Sequence, residues 1–199
     1  MSSFWDSRFG VDEYVYGTEP NAFLVAQAGG LVPGGRVLVP GDGEGRNGVW
    51  LAGRGMAVHS VDSSRAGLAK IERLARERKV AVETEWADLL AWDWPKGAYD
   101  AVASIFLHFP SAERPRIHAA MLDALKPGGL IVLEGFRPEQ LGYDSGGPKD
   151  ADLLVSTADL AKDFEAADIL LLEECQAELD EGPFHRGPAA IVRMVARRR

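Results

Sequence analysis

From residue 36 onward, short apolar runs alternate with stretches in which apolar positions recur every three or four residues. Val37-Leu38-Val39 is a β-branched run that gives way to glycines, the pattern of a buried strand entering a tight turn. Residues 47–54 predict a helix. Residues 58–61 predict a second strand, ending at Asp62-Ser63-Ser64, any of which can cap the next helix. In that helix Leu68, Ile71, Leu74 and Ala75 share one face, while Lys70, Arg73, Glu77 and Arg78 take the other. Val80-Ala81-Val82 begins a third strand, residues 99–106 a fourth, and residues 112–125 the helix after it. Lys126-Pro127-Gly128-Gly129 stops that helix, because proline cannot continue it and glycine accepts a left-handed turn. Residues 130–133, 169–172 and 190–195 read as the fifth, sixth and seventh strands, with a short helix over 159–166. Residues 137–149, with two prolines and three glycines, break the rhythm as a long loop, and such loops in compact domains are mostly functional or disordered.

This alternation predicts an α/β fold, a mainly parallel sheet with helices on both faces. Ligands of such sheets bind beyond the carboxyl ends of the strands, where the strand order reverses, so the turns after strands one to five are where chemistry is expected. At 199 residues the chain fits a single domain, 1–199, with no internal repeat and no linker. Hydrophobic residues at 46% and charged ones at 26% disfavour a disordered chain. A net charge of −8 repels phosphate backbones and anionic membranes, so neither nucleic acid nor membrane is an expected partner, and the basic end at 193–199 reads as a soluble tail. Cys175 is the only cysteine, which excludes an intrachain disulfide and a zinc site of several thiolates; with no His-x-x-x-His pattern, no metal is expected. Residues 1–8 do not have a signal-peptide pattern, and no apolar run approaches the ~20 residues of a membrane helix. The expectation is a soluble, cytoplasmic protein, with no signal of oligomeric state.

The strongest local signal is Gly41-Asp42-Gly43-Glu44-Gly45-Arg46-Asn47-Gly48, directly after the first strand. Glycines there let the main chain turn sharply and approach a ligand, and the next helix begins with unpaired N–H donors that suit a carboxylate or phosphate. Gly43, Gly45 and Gly48 form a literal G-x-G-x-x-G, and Asp62 stands nineteen residues after Gly43, where an acid accepts hydrogen bonds from both ribose hydroxyls of an adenosine. That spacing supports an adenosine cofactor without choosing between a dinucleotide and an adenosylmethionine; a helix cap is the plainer role for Asp62. Asp88, with Leu89 beside it, suits either the exocyclic amine of adenine or a simple turn cap. Trp92 and Trp94 lie two apart and suit packing better than base stacking. Residues 104–109 border the expected crevice, and His108 there is either a proton acceptor, a substrate ligand or a histidine closing a local network. His185 and Arg186, in a turn before the last strand, are an anion-binding pair or a solvated turn.

Val37-Leu38, then Gly41-x-Gly43-Glu44-Gly45-Arg46-Asn47, Val61-Asp62, Ala87-Asp88-Leu89, Tyr99-Asp100 and Leu125-Lys126-Pro127-Gly128-Gly129 together resemble the class I S-adenosylmethionine-dependent methyltransferases, in order along nearly the whole chain. Phe4-Trp5-Asp6-x-Arg8-Phe9 and Tyr16-Gly17-Thr18-Glu19-Pro20-Asn21 resemble its tellurite-resistance-type branch, related to thiopurine methyltransferases. So does His185-Arg186, a pair which that branch assigns to the substrate site. The resemblance implies a Rossmann-like three-layer sandwich whose seven-stranded, mostly parallel sheet has an antiparallel last strand. It implies S-adenosyl-L-methionine as cofactor and a small-molecule methyl acceptor. Gly41, Asp42 and Gly43 would hold the methionine part, Asp62 the ribose with Ser63 among the cofactor contacts, and Asp88 and Leu89 the adenine. Ser104 and Ile105 would lie near the sulfonium. Trp5 and Tyr16, in a cover formed by residues 1–30, would close the pocket, and the loop at 137–156 would lie near the substrate. His185, Arg186 and His108 are the catalytic candidates.

The chain departs from the family at one point. Where Asp-Leu-Gly-Cys-Gly is usual, it has Val39-Pro40-Gly41-Asp42-Gly43, so Val39 replaces the acid that orients the cofactor's ammonium end. Either Asp42 takes over from another direction or the cofactor is held more weakly. The expected function is methyl transfer to a small nucleophile, a thiol or chalcogen oxyanion among them. The alternatives are a cofactor-binding protein without turnover and an NAD(P)-binding oxidoreductase.

Overall fold

The computed structural model describes residues 2–199. Five strands, β1 (Arg36–Pro40), β2 (Ala57–Asp62), β3 (Glu83–Trp86), β4 (Tyr99–Ile105) and β5 (Leu125–Phe136), pair in parallel. The last strand, β7 (Arg186–Arg198), runs antiparallel to both β5 and β6 (Ala167–Asp180). The sheet order is β3-β2-β1-β4-β5-β7-β6, the mostly parallel seven-stranded arrangement expected.

Alternation along the strands sends side chains to two layers. Leu38, Val102, Ile131 and Leu133 face a core closed by Ile117 and Met121 of α5 (Arg114–Ala124) and by Leu160 of α6 (Thr157–Asp163). Val37, Val39, Ala103 and Val132 face the other side, against Phe23 and Leu24 of α2 (Ala22–Gln27) and Leu51 of α3 (Arg46–Gly53). Outside α3, the predicted apolar face of α4 (Arg65–Arg78) buries Leu68, Ile71, Leu74 and Ala75. Ser64 caps this helix, its hydroxyl accepting the N–H of Gly67 at 3.0 Å. A capping box between Ser156 and Asp159 starts α6.

Four predicted strands shift. The third strand begins at Glu83 and not at Val80, because Val80 and Val82 pack against the α3–α4 cluster ahead of the strand. β5 takes in Lys126 to Gly129 as an irregularity, since Tyr99 pairs with Leu125 but Ala101 already pairs with Leu130. The last two strands are far longer than their apolar runs. They extend past the end of β5 as a ribbon in which Gln176 to Asp180 pair only with Arg186 to Ala190. The loop after β5 holds a short 3-10 turn, Pro138–Gly142, and is ordered by the buried Gln140, which donates to Ser145 Oγ at 3.0 Å and accepts the N–H of Ala190 at 2.8 Å. Among the described residues no helix is long and apolar enough to cross a membrane.

Candidate active site

The sheet order reverses between β1 and β4, and a cavity of about 610 Å³ opens there at the carboxyl ends of the parallel strands. Its floor is the turn after β1, where Gly41, Gly43 and Gly45 have φ of 64°, 61° and 91°, backbone that suits only glycine without strain. The N–H of Gly41 donates to Val61 at 2.7 Å and ties the turn to β2. At the end of β2, Asp62 accepts the N–H groups of Gly43 and Ser64, each at 2.8 Å. It thereby locks the turn onto the start of α4, while each oxygen keeps lone-pair capacity for a ligand. Burial outweighs these bonds and pushes the Asp62 pKa up to about 6.

Asp42 borders the cavity, but its carboxylate is engaged beneath the turn, accepting Ser60 Oγ–H at 2.6 Å and the N–H of Gly48 at 3.2 Å. Burial pushes its pKa up to about 7. Val39 points into the core and is 2% exposed. Asp88 reaches the rim, where its carboxylate accepts the N–H of Leu90 at 3.1 Å in a turn, and Leu89 is buried beside it.

The cover is α1 (Ser2–Phe9) with the segment after it. Asp6 accepts Ser64 Oγ–H at 2.8 Å and the N–H of Ala66 at 3.2 Å, a carboxylate placed on the unpaired donors at the start of α4. Trp5 stacks on Phe9 at 5.3 Å, and both rings border the cavity. Tyr16 donates its N–H to Glu44 at 3.1 Å, and Glu44 is paired with Lys70 at 2.6 Å in a buried ion pair.

The far end is aromatic. His185 comes from the β6–β7 turn and sits between Tyr16 at 4.5 Å, Phe106 at 4.8 Å and Phe136 at 5.4 Å. Phe106 holds a left-handed φ of 50°, costly for a non-glycine residue by about 1–3 kcal/mol. Its N–H donates to Glu134 at 2.7 Å and its ring stacks on Phe136 at 4.5 Å, which keeps it there. His108 stacks on the other reach of Phe136 at 5.6 Å; burial, helped by the nearby His185, pushes its pKa down to about 4. Burial likewise lowers His185 against the pull of Glu181, so both rings are neutral at pH 7.

Trp5, Tyr16, Gly41, Asp42, Gly43, Asp62, Ser63, Asp88, Leu89, His108 and His185 thus border one cavity. Ser104 and Arg186 do not. Ser104 is buried one position short of the end of β4, and its neighbour Ile105 takes the cavity wall. Arg186 opens β7 opposite Asp180 and is exposed, whereas His185, one residue earlier in the β6–β7 turn, is buried. The guanidinium near His185 is instead Arg46, buried and paired with Glu181 at 2.8 Å. Arg46 stood in the glycine motif, but nothing marked Glu181, which reaches the site only through the overhanging ribbon. Trp92 and Trp94 pack on each other at 4.9 Å, away from the cavity.

The donor set suits an adenosylmethionine. Its hydroxyls match Asp62, its apolar parts match Leu89 and Ile105, and its carboxylate matches Arg46, whose buried Nη1 has no partner among the described residues. A Cβ on Gly43 would stand 3.3 Å from the Phe9 ring, so the turn and the cover meet in close contact. No group of His, Cys, Asp and Glu among the described residues suits a metal ion.

A methyltransferase domain family matches residues 37–129. Thiopurine S-methyltransferase of Azotobacter vinelandii is 29% identical over 193 residues, covering 84% of this chain and 87% of the relative. Phosphoethanolamine N-methyltransferase 2 of Caenorhabditis elegans is 30% identical over 121 residues, 59% of this chain, which spans only 27% of that larger protein. The crystal structure of TehB from Haemophilus influenzae superposes with a TM-score of 0.75 at 19% identity, over 100% of this chain and 67% of that one, a likeness of fold. With the motif series, the sheet order and these relatives in agreement, the chain belongs to the class I S-adenosylmethionine-dependent methyltransferases, and its likeness to the thiopurine relative runs over most of both chains.

Proposed function

We propose that this protein methylates a small, largely apolar thiol held at the aromatic end of the cavity. The observation that carries the reading is that one cavity joins the glycine turn and Asp62 to the pocket of Tyr16, Phe106, Phe136, His108 and His185. Gly41, Gly43, Asp62, Leu89 and Arg46 would hold S-adenosylmethionine, which supplies an electrophilic methyl group. Phe106 and Phe136 then orient a flat acceptor, and Trp5, Phe9 and Tyr16 exclude water. Alignment of this kind removes about 7–11 kcal/mol of a barrier when the geometry is good. The relative from Azotobacter is named for a thiopurine sulfur, a heteroaromatic thiol of the shape this pocket suits. A chalcogen oxyanion fits less well, because Arg186 faces away and the two histidines are neutral.

The test is a panel of thiols, phenols, selenite and tellurite with adenosylhomocysteine release as the readout, beside calorimetry with adenosylhomocysteine and NAD. Release with aromatic thiols, binding of adenosylhomocysteine and none of NAD are expected. Tight adenosylhomocysteine binding without release on any acceptor would leave a binding protein without turnover.

A further inference from the structure

The His185 ring packs between Tyr16, Phe106 and Phe136 and is held from behind by its own turn. Its turn is closed by the N–H of Glu181 donating to the His185 carbonyl at 2.9 Å. Across that turn the Glu181 carboxylate lies 3.3 Å from Nδ1 of the ring. Two further donors fix the same carboxylate, Arg46 Nη2 on Oε2 at 2.8 Å and Asn21 Nδ2 on Oε1 at 2.9 Å. Asn21 is itself held, its other amide hydrogen on Glu134 at 2.6 Å and its N–H on Asn47 at 2.9 Å. Nε2 lies beside Gly146, a cavity residue, and makes no hydrogen bond to the described residues.

We propose that Glu181, held by Arg46 and Asn21, is a positioning residue that fixes His185 as the Nδ1–H tautomer, so that Nε2 takes the proton of the methyl acceptor. The role rests on the acceptor site proposed above. Burial alone would raise the Glu181 pKa, but the bonds from His185, Arg46 and Asn21 outweigh it and hold it at about 2, so the carboxylate is always ionised and can only accept. Nδ1 must then donate, which leaves the lone pair on Nε2. The other titratable and charged groups around the ring are Arg46, Arg8, His108 and Tyr16. In the step, the acceptor heteroatom bonds to the methyl carbon as the carbon–sulfur bond breaks and its electron pair stays on sulfur. The acceptor's proton passes to Nε2, and the imidazolium so formed faces the Glu181 charge.

Two thiols of similar size separate this role from a structural one. Thiophenol is largely ionised at pH 8 and benzyl mercaptan largely protonated. In Glu181→Gln the kcat for benzyl mercaptan is expected to fall about 100-fold, the scale of a lost proton acceptor, and that for thiophenol less than about threefold. An equal loss on both thiols, a larger loss on thiophenol or no loss on either would overturn the role. In unmutated protein, ¹⁵N-histidine NMR at pH 7.5, with the His185 signal assigned through His185→Gln, should show a protonated Nδ1 and a bare Nε2. A protonated Nε2 would overturn the proposal even where the variant does not fold. If the unmutated protein turns over neither thiol, the acceptor reading fails, and the tautomer alone decides the role of Glu181.

Discussion

Asp42→Asn is expected to stabilise this protein, and only above the pH at which an ordinary aspartate ionises. Asp42 is 7% exposed, and among the described residues its carboxylate accepts only from Ser60 and Gly48, two neutral donors. Burial moves its pKa from 3.8 to about 7 in the fold. The folded state therefore binds more protons than the unfolded chain between those values, and the stability Asp42 contributes is present below pH 3.8 and lost as pH rises through 7. The loss is about 2 kcal/mol at pH 5 and levels at about 4 kcal/mol above pH 7. Asparagine keeps both contacts: its amide oxygen accepts the N–H of Gly48 and its NH₂ donates to Ser60 Oγ. Urea unfolding of both proteins at pH 4, 5 and 8, with equal m-values, should show a gap that opens from near zero to a few kcal/mol in favour of the variant. A gap independent of pH, or a variant less stable at pH 8, would refute the claim that an ionised carboxylate is held under the glycine turn at the expense of the fold.

In the proposed cofactor site the ionised form of Asp62 would accept the ribose hydroxyls, and burial holds its pKa at about 6. Affinity for adenosylhomocysteine should thus weaken as pH falls through 6, by up to about tenfold per unit; calorimetry giving a flat profile from pH 5 to 7.5 would contradict this. In Gly67→Ala the new Cβ would stand 2.5 Å from the carbonyl oxygen of Gly43 and 3.1 Å from Phe9, two rigid neighbours. Cofactor affinity is expected to drop at least about tenfold, a cost of 1–2 kcal/mol for displaced backbone, and unchanged affinity would show that the turn yields. Arg186→Ala should change kcat/KM less than about twofold, as surface substitutions do; a large loss would put Arg186 back in the acceptor site.

Much of the cofactor half was legible in the sequence because it depends on short-range constraints. A β-branched run, a glycine turn that needs positive φ and an acid at the next strand's end sit close together, and the sheet brings them into register without help from distant residues. The acceptor half was less legible. β6 is an edge strand, and from Glu174 onward exposed residues alternate with half-buried ones and the buried Leu179, so no apolar run betrays its length. Arg186 looked like the partner of His185 because they are adjacent, yet His185 ends the turn buried while Arg186 starts the strand exposed. Glu181, four positions away, reaches the ring only because the turn folds back on itself. Val80 and Val82 misled for another reason: both are half-buried ahead of the strand, packing on the α3–α4 cluster, with Val82 reaching the sheet's core as well.

The two halves of the cavity meet through the segment after α1, so the glycine turn and the aromatic end share one wall. The β6–β7 ribbon overhangs the crevice by five residue pairs, about 17 Å of strand, so its turn lands on the segment that follows α1. Gly182 there, at φ 82°, touches down so closely that a Cβ would stand 2.7 Å from the N of Gly17 and the carbonyl of Val15. The same segment is pinned from below by Glu44, out of the glycine turn, and supplies the Tyr16 ring that packs on His185. Asn21, a few residues on, bonds Glu181 and Glu134 together and caps α2 through its side-chain oxygen. Displacing this segment from the glycine turn would therefore remove the Tyr16 wall of the aromatic pocket and loosen the carboxylate behind the histidine. The aromatic pocket is complete only while the glycine turn is covered, which couples that turn to a pocket that Phe106, Phe136 and the β6–β7 turn build around Tyr16.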